Sequence, residues 1–413
     1  MTTMIPTSAT GPASARDGSA DSAPAPATVA DLDLFDDLRR FGAADVSACF
    51  TCGTCTATCP LSDDVARFPR QIIRYAEVGL KDELLASKEL WACYHCGECS
   101  QSCPTQADPA EFMATARRYA VANYDPTRLA RVLFTRPVLG SAIATGIAGL
   151  FAAFMYSAHG PQETSRLDLF RFVPDALIHW TGIGVMVVMA IAGLVGVSRM
   201  ARNVAAREGV TGRDLFGGWA ALRRTWGAAW SALAVESLGQ RRYRADCHDD
   251  GPPEPLYRRR WLMHALTIWG FLGLLVATVS DWGLALLGIK ATGTPIPIWY
   301  PTRLLGTLAG ISLLYGVTMF FVARLQATAP SYQTSTGSDW LLLVLLWLTG
   351  ASGFLIEAAL YLPDAPGWGY WVFLFHVAVA MELMLLLPFT KFAHAVYRPL
   401  ALFFYALAKS ARA

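Results

Sequence analysis

Eight of the nine cysteines fall between residues 49 and 103, in two runs of one design. The first is Cys49-Phe-Thr-Cys52-Gly-Thr-Cys55-Thr-Ala-Thr-Cys59-Pro60, and the second is Cys93-Tyr-His-Cys96-Gly-Glu-Cys99-Ser-Gln-Ser-Cys103-Pro104. Thiolates at this spacing suit a cubane iron–sulfur cluster: three close cysteines wrap three irons, and the fourth, ahead of proline, turns towards the other cluster. The expectation is two [4Fe-4S] clusters with crossed ligation. Cys49, Cys52, Cys55 and Cys103 would hold one, and Cys93, Cys96, Cys99 and Cys59 the other. Structural zinc also takes four thiolates, but its sites usually pair two C-x2-C knuckles instead of repeating a four-cysteine run with proline. His95 and Glu98, inside the second run, read as exposed side chains that tune potential. Crowded cysteines in a reducing compartment are ligands more often than disulfides. Cys247 stands apart and receives no role.

A second constellation is made of histidines. Four of the seven, His179, His264, His376 and His394, lie in or at long apolar runs, where an imidazole is costly and functional by default. His376 and His394 are 18 residues apart, five whole helical turns, so on one continuous helix both would project from one face. That spacing suits two stacked b haems, with the reservation that Pro388 lies between them and can kink the helix. His159 has no partner at its depth and stays unassigned.

The elements that must position these groups follow from composition. The chain is 54% apolar and only 16% charged, well below the ~25% charged usual for soluble domains. Six runs are long enough to cross a hydrocarbon core of about 30 Å: 138–157, 176–198, 261–280, 304–323, 340–362 and 370–390. The last two are interrupted by Glu357 and Glu382. Lys and Arg number 22 in the connections on the ferredoxin side and four in the opposite ones, so the positive-inside rule predicts six spans with both termini cytoplasmic; the location expected for such a multi-pass protein is a bacterial inner membrane. On that topology His179 shares outer depth with His376, and His264 shares inner depth with His394, which gives the two haem pairs.

The predicted fold class is all-α. Residues 1–30, rich in Ala, Pro, Ser and Thr, read as a disordered leader without the apolar core of a secretory signal. Residues 31–130 read as a helical ferredoxin domain, because 67–90 has helical spacing and no strand signal. Residues 137–400 read as the six-span bundle and 401–413 as a cytoplasmic tail. The connection 199–260 contains Phe216, Trp219, Leu222, Trp226 and Trp230 at spacings of three and four among arginines. That is an amphipathic helix lying on the membrane surface or packed on the soluble domain. The net charge of +2 and the lack of a basic tract interleaved with aromatics exclude a nucleic-acid partner.

The two cysteine runs, the stretch from Cys247 through Arg260 to His264 with Gly270-Phe271, and the pair His376 and His394 resemble one family over residues 35–400. This is the C subunit of the quinone-interacting membrane-bound oxidoreductases (Qmo), fusions of a ferredoxin like the C subunit of heterodisulfide reductase with a cytochrome b like its E subunit. The last histidine pair is also similar to the final helix of the nitrate reductase gamma subunit. The chain has no Cys-Cys-Gly run and so departs from the disulfide-cleaving subunits. The resemblance implies two FAD-containing flavoprotein partners (the A and B subunits of Qmo), adenylylsulfate reductase beyond them, and menaquinone or ubiquinone in the membrane. Two alternatives stay open: a component of another heterodisulfide reductase-like complex, and a membrane anchor with structural clusters. A quinone pocket needs an apolar slot beside a haem and a titratable group. Glu357, behind Gly350, Ser352 and Gly353, is the first candidate, Asp281 lies at the same level, and Lys391 beside His394 is the rival on the inner side. Glu382 suits a proton path or a hydrogen-bond partner.

Overall fold

The structure, a computed structural model, describes residues 29–42, 46–62, 67–246, 255–290, 297–327, 330–362 and 366–410. The leader read over 1–30 lies outside these residues except for Val29 and Ala30, and Cys247 lies outside them as well. The described chain is all-α. Eight helices build the ferredoxin region: α1 Leu34–Arg39, α2 Thr54–Thr58, α3 Arg70–Glu77, α4 Lys81–Leu85, α5 Glu89–Ala92, α6 Glu98–Gln101, α7 Pro109–Tyr124 and α8 Leu129–Thr135. Short helices are what a small metal-loop domain needs, because its core is filled from many directions. Leu34, Leu38, Phe41, Ile72, Ile73, Leu84, Trp91, Phe112 and Tyr119 are all at most 2% exposed and pack into one cluster. The longest of the eight, α7, starts where Asp108 caps the Glu111 amide at 3.3 Å and Pro109 fills the first turn.

The remainder consists of α9 Pro137–Ser157, α10 Leu169–Phe172, α11 Asp175–Glu208, α12 Gly212–Phe216, α13 Trp219–Trp230, α14 Arg241–Asp246, α15 Arg260–Leu286, α16 Pro301–Gln326, α17 Pro330–Gln333, α18 Gly337–Tyr361, α19 Trp368–Leu386 and α20 His394–Ser410. Helices α9, α11, α15, α16 and α18, and α19 continued to Phe389, are long and apolar enough to cross a membrane. Apolar side chains such as Trp180, Val187, Ile191 and Leu194 face outwards from α11, as lipid-facing helices require. Helices α15 and α16 touch backbone to backbone. A Cβ on Gly270 would lie 2.5 Å from the Leu313 nitrogen, and one on Gly316 would lie 2.6 Å from the Met263 oxygen. Small residues at such crossings replace the hydrophobic drive that lipid removes.

The ferredoxin region sits on the end of the bundle where α11 overshoots. At about 1.5 Å per residue its 34 residues exceed a bilayer core of about 30 Å by several turns, and the last of them carries the docking groups. Arg207 donates to the Glu83 carbonyl at 2.9 Å and to the Tyr75 hydroxyl at 2.6 Å, and Lys88 pairs with Glu208. We call this the proximal end of the bundle.

Two expectations change. His376 and His394 do not share a continuous helix: α19 ends at Leu386, Leu387–Phe389 tightens to 3-10 geometry, and Thr390 is extended at φ −110°, ψ −177°. Pro388 supplies no N–H to the helix, and Thr390 caps the new start by accepting from the Phe392 amide at 3.4 Å, so α20 is a separate helix. Residues 401–410 are therefore not a tail but the second half of α20, with Ala401, Leu402, Phe404 and Leu407 buried. The segment 67–90 is helical as its spacing predicts, in three pieces, with α3 and α4 divided at Gly79, whose φ is +76°. In the long connection, α13 buries Ala221 and Ala228 and leaves Trp219, Trp226 and Trp230 more than 60% exposed. Its aromatic stripe faces away from the protein.

Candidate functional site

The two cysteine runs fold alike. In each, a glycine in the left-handed region, Gly53 at φ +87° or Gly97 at φ +98°, starts a short helix, α2 or α6. That turn lifts three cysteines around a hollow while the fourth, at or beyond the helix end, points away. The structure brings Cys49, Cys52, Cys55 and Cys103 around one cavity, and Cys59, Cys93, Cys96 and Cys99 around another. Among the described residues no three His, Cys, Asp or Glu side chains converge closely enough for a single metal ion.

The surroundings of the two cavities differ. Cys52 is exposed, and the Thr54 hydroxyl 3.3 Å from its sulfur holds that thiol below its ordinary pKa. Burial pushes Cys103 up, but hydrogen bonds from Thr105 and the following backbone outweigh it. At the second cavity burial pushes Cys59 up to about 12 and raises Cys96 and Cys99. Thiols of this kind surrender their protons when a metal centre replaces them. Burial raises Cys49 and Cys55 as well, so the first cavity differs from the second at Cys52 and Cys103, which stand nearer solvent. His95 lines the second cavity and is not exposed: its Nδ1 is shut off from solvent, its amide donates to the Cys93 sulfur at 3.3 Å, and its carbonyl accepts from Arg260 at 3.1 Å. The bundle closes over the loop, which a local reading of the run cannot show. Glu98 is half-buried on the same rim.

At the proximal end His264, near the start of α15, faces His394, the first residue of α20, with ring centroids 6.2 Å apart. Two imidazoles on opposite sides of one metal, each nitrogen about 2.0 Å from it, have centroids roughly 6.3 Å apart. His394 Nδ1 lies 2.6 Å from the Lys391 carbonyl and His179 Nδ1 lies 2.9 Å from the Asp175 carbonyl. A carbonyl only accepts, so both rings carry the proton on Nδ1 and present Nε2 as a ligand, the usual arrangement behind a metal-bound histidine. At the distal end His376 Nδ1 is 2.9 Å from the Ser352 hydroxyl, which itself donates to the Leu348 carbonyl at 2.6 Å. A Cβ on Gly353 would be 3.3 Å from His376. His179 instead stacks on Trp282 at 5.9 Å. Among the described residues no ring contact joins His179 to His376. The spacing of the proximal pair fits one b haem, while at the distal end His179 and His376 each present Nε2 with no ring contact among the described residues setting one against the other. His159 stacks on Tyr156 at 4.1 Å, away from both groups.

The quinone-site candidates are placed as follows. Glu357, one turn beyond Gly353, accepts from Arg303 and Thr307, each at 3.2 Å. Asp281 pairs with Lys290 at 2.6 Å and adjoins the Trp282 that covers His179. Lys391 pairs with Asp339 at 2.6 Å. Glu382 is 2% exposed on α19, and its Oε1 has no partner.

Sequence reasoning missed the join between the two halves. Tyr94, in the second cysteine loop, packs on Tyr243 of α14 with centroids 5.5 Å apart, and Tyr243 packs on His264, also at 5.5 Å. Neither tyrosine belongs to a periodic pattern, so no local signal marks them.

Geometry therefore defines a class: a two-cluster ferredoxin domain joined to a six-helix apolar bundle with inward histidines. Residues 45–107 match the 4Fe-4S dicluster domain, and residues 127–413 match the citrate utilization protein B model. Because that second match covers well over half of the chain, the protein belongs to the citrate utilization protein B family. The Escherichia coli citrate utilization protein B is 30% identical over 167 residues, covering 40% of this chain and 41% of that protein. The C subunit of the H(2):CoB-CoM heterodisulfide,ferredoxin reductase of Methanothermobacter thermautotrophicus is 41% identical over 61 residues, 15% of this chain and 33% of its own. The iron-sulfur C subunit of the CoB--CoM heterodisulfide reductase of Methanopyrus kandleri is 46% identical over 46 residues, 11% and 24% of the two chains. This chain thus spans less than half the length of each of these relatives. No solved structure matches. The ferredoxin half is that of an iron–sulfur electron-transfer protein related to the C subunit of heterodisulfide reductase.

Proposed function

We propose that this chain is the quinone-reactive subunit of a multisubunit oxidoreductase, linking a membrane quinone to flavoprotein partners on the ferredoxin side. Cys49, Cys52, Cys55 and Cys103 would hold one [4Fe-4S] cluster, and Cys93, Cys96, Cys99 and Cys59 the other. His264 with His394, and His179 with His376, would hold two b haems. When bound, these groups supply one-electron carriers, and menaquinone or ubiquinone is the substrate. The observation that supports the reading most is the ring contact from Tyr94 through Tyr243 to His264. It sets a cluster loop against a histidine pair across the domain boundary, a connection that a membrane anchor with structural clusters does not need. The exposed Cys52 at the first cavity is where a soluble donor or acceptor can approach, and the loop of the second cavity is held against the bundle by Arg260. Glu357 is the proposed quinone-site residue, in the distal end with His376, with Asp281 beside His179. The ferredoxin domain and both termini are assigned to the cytoplasm of a bacterial inner membrane.

For the partners, the Qmo resemblance supports adenylylsulfate reductase, in sulfur metabolism, and two flavoproteins like the A subunit of heterodisulfide reductase. A second reading rests on the family match: the E. coli relative's name ties it to citrate utilization, which favours a flavoprotein acting on citrate or a related acid. Co-purification from the native membrane separates these partners. The quinone link is tested with the full chain carrying its clusters and haems. After chemical reduction, a menaquinone analogue should reoxidise both haems, and Glu357→Gln should slow this with both haem spectra intact. Haems that stay reduced overturn the reading. Slowing in Lys391→Ala, with wild-type kinetics in Glu357→Gln, moves the quinone site to the proximal end.

A further inference from the structure

Between the second cysteine cavity and the proximal histidines lies a group of cations that the reading above does not use. Arg117 projects from α7, and its guanidinium reaches the Cys93 thiol. Its Nε and Nη2 atoms are shut off from solvent with no hydrogen-bond partner. Arg398 stands one turn beyond His394 on α20, its guanidinium carbon 4.4 Å from the Tyr94 ring centre. Arg260, at the head of α15, holds the His95 carbonyl at 3.1 Å. Lys391 completes the set, and the carboxylate beside it, Asp339, is engaged with it at 2.6 Å. Arg117 joins the group through Cys93, the neighbour of Tyr94, whose ring packs on Tyr243 and so on towards His264.

A buried guanidinium with unmade hydrogen bonds is unfavourable until an anion completes it. Its planar fork matches a carboxylate better than any other common anion except phosphate. We propose that Arg117, with Arg398 beside it, clamps the propionate carboxylates of the haem ligated by His264 and His394. This rests on the haem assignment above. It gives α7 of the ferredoxin domain a hand in a cofactor otherwise held by the bundle, and makes Arg117 a positioning residue between the second cluster loop and that haem. A free dicarboxylate or phosphate offers the same chemistry, so the test separates the sources.

The full chain carrying His376→Ala, which leaves the proximal site alone, is stripped of haem in detergent and titrated with haemin or haemin dimethyl ester while the Soret band is followed. Haemin should bind about tenfold more tightly than the ester, as expected for charge-assisted hydrogen bonds lost on esterification. Arg117→Gln should abolish most of that preference, Arg117→Lys should keep part of it, and Arg398→Gln should diminish it independently. Cluster iron content reports that each variant is folded. Equal binding of haemin and ester, or a preference unchanged in both glutamine variants, overturns the clamp. Equal binding together with a response to added succinate or phosphate assigns the pocket to a free anion instead. A chain that binds haemin with no Soret shift at all overturns the haem assignment along with the clamp, and is told apart from the other outcomes by that missing band.

Discussion

Cys59 closes the first cysteine run in sequence but stands among Cys93, Cys96 and Cys99 in space. Cys59→Ser should therefore remove the electron paramagnetic resonance signal of the second cluster and spare that of the first. Loss of the first signal alone would mean local ligation. His264 and His394 face each other at 6.2 Å, so His264→Ala and His394→Ala should bleach the same haem, and His376→Ala the other. Difference spectra of the three variants decide it, and a shared loss in His376→Ala and His394→Ala would break the pairing. The cysteines were legible because a cluster loop is local: its ligands lie two or three residues apart and its glycine has one job. The residues around them were not. Arg117, Tyr243 and Ser352 come from three distant helices, and each is an ordinary member of its own pattern. His95 looked exposed because the loop alone says nothing of the bundle that covers it.

Hydropathy found all six long helices, since a run of about 20 apolar residues has few other uses. It did not find where helices stop. The end of α19 at Leu386 lies inside a run that stays apolar through Phe389, and α11 continues past its apolar part because Arg199, Arg207 and Glu208 are good helix formers with partners in the ferredoxin domain. Helix α15 must hold His264 at the join, and it is set by its backbone contact with α16. Gly316→Leu should force that crossing apart at a cost of about 1–3 kcal/mol, lower the melting temperature, and weaken the proximal haem band before the distal one. An unchanged spectrum with a lowered melting temperature would show that α15 is not what positions His264. Helix α14 carries Tyr243 between Tyr94 and His264. Tyr243→Ala should slow electron exchange between the second cluster and the proximal haem by roughly tenfold, as a lost ring contact opens the path to water, while Tyr243→Phe stays near wild type. Stopped-flow traces of haem absorbance after cluster reduction measure both.

Across the whole molecule, the ferredoxin domain is seated on the bundle by Lys88, Arg207 and α20, with Tyr397 wedged between Trp91 and Tyr124 at 5.1 and 5.2 Å and against Gly196. Metal analysis of the purified chain should return about eight cluster irons and two haems by pyridine haemochrome. Zinc in place of cluster iron would refute the cluster assignment. The class of protein was plain from two motifs and six apolar runs. The family of its membrane half was not, because histidines on apolar helices are common to many bundles and carry no mark of the citrate utilization protein B family. The exchange of fourth cysteines between the two loops has a bearing on maturation. Neither run can complete its own cavity, so an insertion machinery that fills one site finds it a ligand short until the other loop has arrived. Residues 46–107 must then mature as a single unit, and a half-loaded chain would be a short-lived species on the assembly path.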